Sequence, residues 1–259
     1  MGTDPETEFK EELQVFGNEV DEAMQCFYAE QTIHNVAREN TNVYHALNRN
    51  AAFWKLASRA LQANAIIVLG RIFDRDSRTH GIKRLLNLAT KHPEIFSKAA
   101  LERRKLPHAG KHTAEFMRTV YVPKIRDFKR LREYTDKHRA TYNGYYLDLR
   151  NKFFAHRERV DMTVAFANAS IPRLERLLVF LDQLQDALWH LFENGRKPVL
   201  RPARYSGKRI LKSPLPKGLH RNQAAQEWIT RETEKFLKYV GACYDRDRKQ
   251  APVFPPANE

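Results

Sequence analysis

The chain has 259 residues, 42% of them hydrophobic and 11% aromatic, and its 45 basic and 31 acidic residues give a formal net charge of +14. That apolar content excludes wholesale disorder, and ten glycines are too few for a collagen-like or low-complexity chain. Two cysteines, Cys26 and Cys243, exclude a disulfide framework and fit a reducing compartment.

The length fits one large domain, or one domain with an appendage, and is enough to bury a core without covalent staples. The N-terminus is acidic and lacks the basic-then-apolar pattern of a secretory signal. The most apolar short run, Ala65-Ile66-Ile67-Val68-Leu69, falls far below the ~18 residues of a membrane span. A soluble cytoplasmic protein with no membrane contact is expected. Charge is uneven along the chain. Residues 1–30 hold nine acids against one base, Lys10, so the remainder carries 44 bases and 22 acids. Such a surplus draws polyanions, nucleic acid first among them.

The elements read as follows in chain order. Residues 8–38 form a first helix, acidic early. Residues 43–74 form a second, where Phe53, Leu56, Ala60, Ala63, Ile67 and Gly70 recur at spacings of three and four. That seam contains small residues that permit close helix packing. Asp74 to Gly81 is a polar break. A helix over 82–91 follows, then one over 93–106 with Pro93 in its first turn. Lys105 to His112 reads as a loop. His108 and His112 stand four apart there, but without a nearby carboxylate they make a weak metal site. Residues 113–157 are helical again, with interruptions expected at Pro123 and at Asn143-Gly144.

Residues 171–194 carry the clearest helical pattern. Leu174, Leu177, Leu181, Leu184, Leu188 and Leu191 alternate spacings of three and four, and Asn194-Gly195 supplies a stop. This leucine seam serves either as bundle core or as a dimer face. No acid occurs between Glu193 and Glu227, while Arg196, Lys197, Arg201, Arg204, Lys208, Arg209, Lys212, Lys217 and Arg221 are interleaved with four prolines. This stretch reads as an extended basic arm suited to neutralising phosphates. A last helix over about 221–240 precedes a Pro-rich tail. No alternating run supports a strand. The expected fold class is all-α: an antiparallel helical bundle over 1–195, followed by the arm, C-terminal helix and tail over 196–259.

Signatures of phosphate-binding glycine loops, dinucleotide folds, zinc-binding His-Glu-x-x-His and nucleophile elbows are all absent. One segment does carry chemistry: Asp148-Leu149-Arg150-Asn151-Lys152-Phe153-Phe154-Ala155-His156-Arg157-Glu158. An arginine, an amide and a histidine fall within seven residues around an apolar pair. Arg150-Asn151 and His156 resemble the active-site motif of the HEPN superfamily: an arginine followed at once by a polar residue, a short spacer and a histidine. The run Arg150–His156 looks especially like the branch named for abortive infection, type U. Phe53-Trp54 and Leu69-Gly70-Arg71-Ile72-Phe73-Asp74 are similar to that branch's preceding helix. The resemblance spans roughly residues 10–195.

The resemblance implies an HEPN-like antiparallel bundle that forms a homodimer, with the basic arm and last helix added. It also implies a metal-independent endoribonuclease of the toxin–antitoxin, phage-defence or CRISPR kind, acting on RNA without a cofactor. An antitoxin or another defence-system component is the implied protein partner. The alternative is a non-catalytic RNA-binding or partner-docking module on the same fold. HEPN toxins controlled by a nucleotidyltransferase antitoxin often carry a tyrosine two residues after the histidine. Glu158 stands there, which argues against control by modification at that position.

The motif's own geometry sets a condition. On a straight α-helix, Arg150 and His156 lie about 120° apart and ~9 Å along the axis, so they do not share a face. Either the helix ends near Ala155 and lets His156 swing round, or two copies of the motif face each other across a two-fold axis. In both cases histidine suits proton transfer near neutrality. Arginine suits a phosphate, because its planar fork stays charged and grips two oxygens. Asn151 either donates to a phosphate oxygen or orients His156. Lys152 and Arg157 read either as RNA guides or as ordinary surface charges. Lys124, Arg130 and their neighbours, with Arg201, Arg204, Lys208 and Arg209 of the arm, are expected to track the RNA backbone. Asp74 is a secondary candidate, as a partner for Arg150 or Arg71 or as the cap of the loop after the second helix. The acidic first helix is expected to lie across basic surface.

Overall fold

A computed structural model of the chain describes residues 4–76, 78–105, 113–155, 169–200 and 221–250. Every regular element among them is helical, as the periodicities require. In order these are α1 (Pro5–Glu39), α2 (Thr41–Arg49), α3 (Ala51–Ile72), α4 (Ile82–Lys91), a 3₁₀ turn (Pro93–Phe96), α5 (Lys98–Lys105), α6 (Thr113–Thr119), α7 (Ile125–Tyr145), a π-helical turn (Leu149–Ala155), α8 (Ile171–Asn194) and α9 (Arg221–Gln250). Among the described residues no helix is long and apolar enough to cross a membrane.

Several boundaries differ from the periodicity reading, each for a local reason. The helix expected over 43–74 is two. Asn40 caps the first, its Oδ1 accepting the Val43 N–H at 3.1 Å, and Asn50 ends it at φ −118°, ψ 42°. Asparagine satisfies backbone groups outside helical geometry, so an Asn-Arg-Asn run breaks a pattern that its apolar neighbours would continue. The helix expected over 93–106 likewise divides, because the Ser97 hydroxyl caps a fresh start by accepting the Ala100 N–H. Pro123 does interrupt, leaving residues 120–124 outside any helix. Asn143-Gly144 does not, since α7 runs on to Tyr145. The last helix reaches Gln250 rather than 240, with a Lys249–Asp245 ion pair across one turn at 2.7 Å.

The described chain forms two compact units that are not consecutive in sequence: Met1–Met24 with Ala63–Tyr205, and Gln25–Gln62 with Ser206–Glu259. The contacts therefore group the C-terminal helix with residues 25–62, whereas a division at 195 leaves it alone.

The larger unit holds the leucine seam of α8 as core. Leu181, Leu184 and Leu188 are fully buried, and only Leu174, at the start, is partly exposed. Each such leucine contributes roughly 1.5–3 kcal/mol of burial. The choice between core and dimer face is thereby settled for α8. Phe9 of α1 packs edge-on to Phe96 and against Phe192, both at 5.1 Å between centroids. The acidic start of α1 does lie on basic residues. Glu6 pairs with Arg104 at 2.9 Å, Glu8 and Glu12 with Arg84 at 2.9 and 2.7 Å, and Glu19 with Arg71 at 2.9 Å. These acids neutralise arginines that belong to the basic surplus of the rest of the chain.

The smaller unit is built on Ile33, Val36, Val43 and Leu237, with Trp54 and Leu61 packed against them. An added Cβ at Gly241 would stand 2.7 Å from Val43 Cγ2, so glycine lets α9 approach α2. The Glu30 carboxylate is buried here. It accepts from Gln62 Nε2 at 2.6 Å and lies 2.9 Å from His34 Nε2.

Candidate active site

Arg150 sits on a frame of tyrosines spaced four apart. Tyr142, Tyr146 and Arg150 follow one face from the end of α7 into the π-helical turn, and the Arg150 N–H donates to Tyr146 O at 2.9 Å. Both rings are almost wholly buried. Tyr142 lies against Phe73 at 5.6 Å, and its hydroxyl donates to Ile66 O at 3.1 Å, tying α7 to α3. The Tyr146 hydroxyl donates to Ser170 O at 2.8 Å, just ahead of α8. Burial pushes the Tyr142 phenol far above its ordinary value, although the Arg150 charge pulls the other way. Burial likewise drives Tyr146 up to about 12, opposed by Arg173 and Arg176. Both phenols are therefore neutral hydrogen-bonding posts at physiological pH, not proton carriers.

Arg150 crosses α3 at Gly70. An added Cβ there would lie 2.6 Å from Arg150 Nε, 2.7 Å from Arg150 Cδ and 2.8 Å from the Tyr142 hydroxyl. Glycine inside a helix costs about 0.5–1 kcal/mol relative to alanine. Here it opens the slot in which the arginine lies. At the far end of the side chain, Arg150 Nη1 donates to Asn151 Oδ1 at 3.2 Å. That bond uses the amide oxygen and leaves the Asn151 NH₂ to donate alongside the guanidinium. Among the described residues, no carboxylate pairs with Arg150. Asp148 is instead held by Lys152 at 3.1 Å across one helical turn.

The Leu149–Ala155 turn is π-helical, so the α-helical estimate of 120° between Arg150 and His156 does not apply across it. Such turns insert a residue into the helical ladder and often occur at functional sites. His156 and Arg157 lie outside the described residues, as do Arg201, Arg204, Lys208 and Arg209 of the arm, and His108 and His112. Lys124 is exposed at the N-terminus of α7, where its N–H donates to Asp127 Oδ2 at 2.8 Å. Arg130 is partly engaged: it donates to Pro198 O at 3.3 Å and lies 3.7 Å from Asp127.

Asp74 is not the partner of Arg71. Glu19 and Glu22 of α1 hold that guanidinium at 2.9 and 3.3 Å. Asp74 Oδ1 accepts the Asp76 N–H at 3.0 Å, so its described role is to close the loop after α3. The longer glutamates reach Arg71 from another helix, a contact that local sequence does not disclose. Tyr142 and Tyr146 are the residues that motif reading overlooked, while Gly70 entered it only as a small residue of the helix seam and of the family-like run after it. The four-residue spacing of both tyrosines before Arg150 is a visible signal for them.

Residues 6–210 match the family model HEPN_AbiU2, described as AbiU2. No curated protein and no solved structure gives a significant match. With a helical frame that carries Arg150 and Asn151, and a family-model match over most of the chain, this protein belongs to the AbiU2 family of HEPN domains.

Proposed function

We propose that the protein is a metal-independent endoribonuclease of a defence or toxin system, with a composite site formed by two copies of the Arg150–Asn151–His156 motif in a homodimer. The observation that carries this reading is the state of Arg150. It is slotted over Gly70, steadied by Asn151 and, among the described residues, free of any carboxylate partner. A structural arginine is normally consumed by an acid, as Arg71 and Arg84 are. An arginine held ready beside an amide donor is arranged for an anion.

RNA supplies its own nucleophile. His156 accepts the proton of the 2′-hydroxyl as that oxygen attacks phosphorus. Arg150 and the Asn151 NH₂ stabilise the charge gathering on the non-bridging oxygens. The 5′-oxygen leaves with a proton from the partner's His156, giving a 2′,3′-cyclic phosphate and a 5′-hydroxyl. DNA lacks the attacking hydroxyl and is spared. Lys152 and Arg157 beside the motif, Lys124 and Arg130 on α7, and Arg201, Arg204, Lys208 and Arg209 of the arm guide the strand.

The test is incubation with RNA in excess EDTA, beside His156→Ala. Cleavage by the parent protein, with rates lowered about 10³-fold or more in a variant that still folds, supports the reading. Binding without cleavage by either protein leaves an RNA-binding module. Cleavage that requires added magnesium overturns the mechanism.

A further inference from the structure

The outer face of α9 is open among the described residues. Its inner face is covered: Gln226, Thr230, Leu237 and Gly241 are buried, with Leu237 in the core of the smaller unit. On the opposite side Trp228, Glu232, Lys235, Tyr239, Ala242 and Arg246 follow at alternating spacings of four and three, and all six are exposed. Such spacing aligns residues along one stripe of a helix and is the repeat by which two helices pair. Trp228 and Tyr239 are 51% and 66% exposed, and Phe236 beside them 54%. Trp54 lies 6.3 Å from Phe236 and 5.3 Å from Phe53 between ring centroids, so the apolar surface continues onto the start of α3. Contiguous exposed apolar surface of this kind marks a contact site.

The charges of the stripe identify its occupant. Several charged residues of α9 are already paired within the chain: Arg231 with Glu227 at 2.8 Å, Lys238 with Glu234 at 2.8 Å, Lys249 with Asp245 at 2.7 Å and Asp247 with Arg49 at 3.6 Å. Glu232 and Arg246 have no ion pair among the described residues. They stand seven residues before and seven after Tyr239, about 10.5 Å to either side of it along the helix. Opposite charges are thus set symmetrically about an exposed ring.

We propose that α9 pairs with α9 of a second copy of this chain, antiparallel, about a two-fold axis at Tyr239. A two-fold contact must be self-complementary, so each residue before the axis meets its counterpart after the axis on the other copy. Glu232 then meets the partner's Arg246, and the reciprocal pair forms at the other end. Phe236 and Ala242, three residues to either side, meet as large against small, and the two Tyr239 rings lie together at the centre. A parallel pair would oppose glutamate to glutamate, arginine to arginine and Phe236 to Phe236. Lys235 also lies on the stripe, and its long stem carries the ammonium out to solvent. The rings supply less than the roughly 800 Å² per partner of a standard interface, so the association is reversible and concentration-dependent. This face belongs to the smaller unit and lies outside residues 6–210, so the proposal holds whether or not the Arg150 motif cleaves RNA.

Sedimentation of the full chain over a range of concentrations measures its self-association. Glu232→Arg and Arg246→Glu each place like charges together and are expected to weaken it about tenfold or more, as is Tyr239→Glu. The double variant Glu232→Arg/Arg246→Glu exchanges the signs and should return within about threefold of the parent protein. All three positions are exposed, and melts verify that each variant is folded. A parent protein that remains a 30.4 kDa monomer up to about 100 μM overturns the proposal. A double variant no better than the single ones also overturns it. So does association indifferent to every variant, which would place the contact between copies elsewhere and leave the catalytic reading standing.

Discussion

Gly70 shows how one missing methyl group serves a site several helices away in sequence. In an isolated helix, alanine at this position is favoured by about 0.5–1 kcal/mol. In the folded chain its Cβ would meet Arg150 and Tyr142 at under 3 Å. The atoms in the way on Arg150 belong to a flexible side chain, which moves before the helices do. Gly70→Ala is therefore expected to melt within a few degrees of the parent protein while shifting the guanidinium. RNA cleavage should fall on the order of 10²-fold, since displacements near 1 Å cost about that much. Circular dichroism melts and a cleavage assay separate the two effects. A variant that cleaves normally would show that Arg150 does not use this slot.

A second residue-scale expectation concerns Glu30 and His34. Burial raises the Glu30 carboxyl, but hydrogen bonds from His34 and Gln62 outweigh it and hold the group below its ordinary value. The Glu30 hydrogen bond raises His34 in turn, against its desolvation and the nearby Arg38. The depressed Glu30 contributes stability that is present above its unfolded-state pKa and lost as the pH falls through the folded value. The raised His34 contributes stability that is complete below its unfolded-state pKa near 6.5 and lost as the pH rises through the folded value. His34→Gln should therefore lower the Tm most in mildly acidic solution, with the gap closing as the pH rises through the folded-state value of His34. Because the His34 side chain is 57% exposed, the effect stays under about 1 kcal/mol. Melts across this range check the sign, and a gap that widens toward alkaline pH contradicts it.

At the scale of elements, the termini matter as much as the apolar faces. The α8 stop at Gly195 combines a left-handed backbone with tight packing, since an added Cβ would stand 2.7 Å from Val120 and 2.9 Å from Leu101. Gly195→Ala meets both penalties and should destabilise the protein by about 1–3 kcal/mol, read as a lowered Tm. Gly144 is the internal control: its Cβ position is open to 4 Å, so Gly144→Ala should be neutral or mildly stabilising. Equal losses at the two sites would refute this account. The π-helical turn is an element-scale feature of another kind. It follows the rigid tyrosine frame of α7 and carries Arg150 and Asn151, whose side chains are joined by a hydrogen bond.

For the whole molecule, the surplus of 44 bases over 22 acids outside residues 1–30 overstates what an RNA strand meets. Glutamates of α1 consume Arg71, Arg84 and Arg104 within the larger unit. The remaining surplus, concentrated after residue 195, is the electrostatic footprint. If six or more phosphates are engaged, RNA affinity should fall roughly 10³-fold or more between 50 and 200 mM salt. Filter binding over that range measures the slope. A flat response would leave the basic arm as a solvated linker.

Helical periodicity, caps and breakers were sufficient to establish an all-α chain and many of its helix boundaries, and the motif at 150–156 pointed to the family that the match over residues 6–210 shows. These are local properties: spacing tells which side of a helix is apolar, and a proline or a Gly after a helix tells where it stops. Which surfaces meet is not local. Packing decided that the α8 leucines form core, that Glu19 rather than Asp74 holds Arg71, that the C-terminal helix joins residues 25–62, and that Gly70 makes room for Arg150. Those outcomes depend on side chains far apart in the chain competing for the same space and the same charges, a competition that exists only once the helices are assembled.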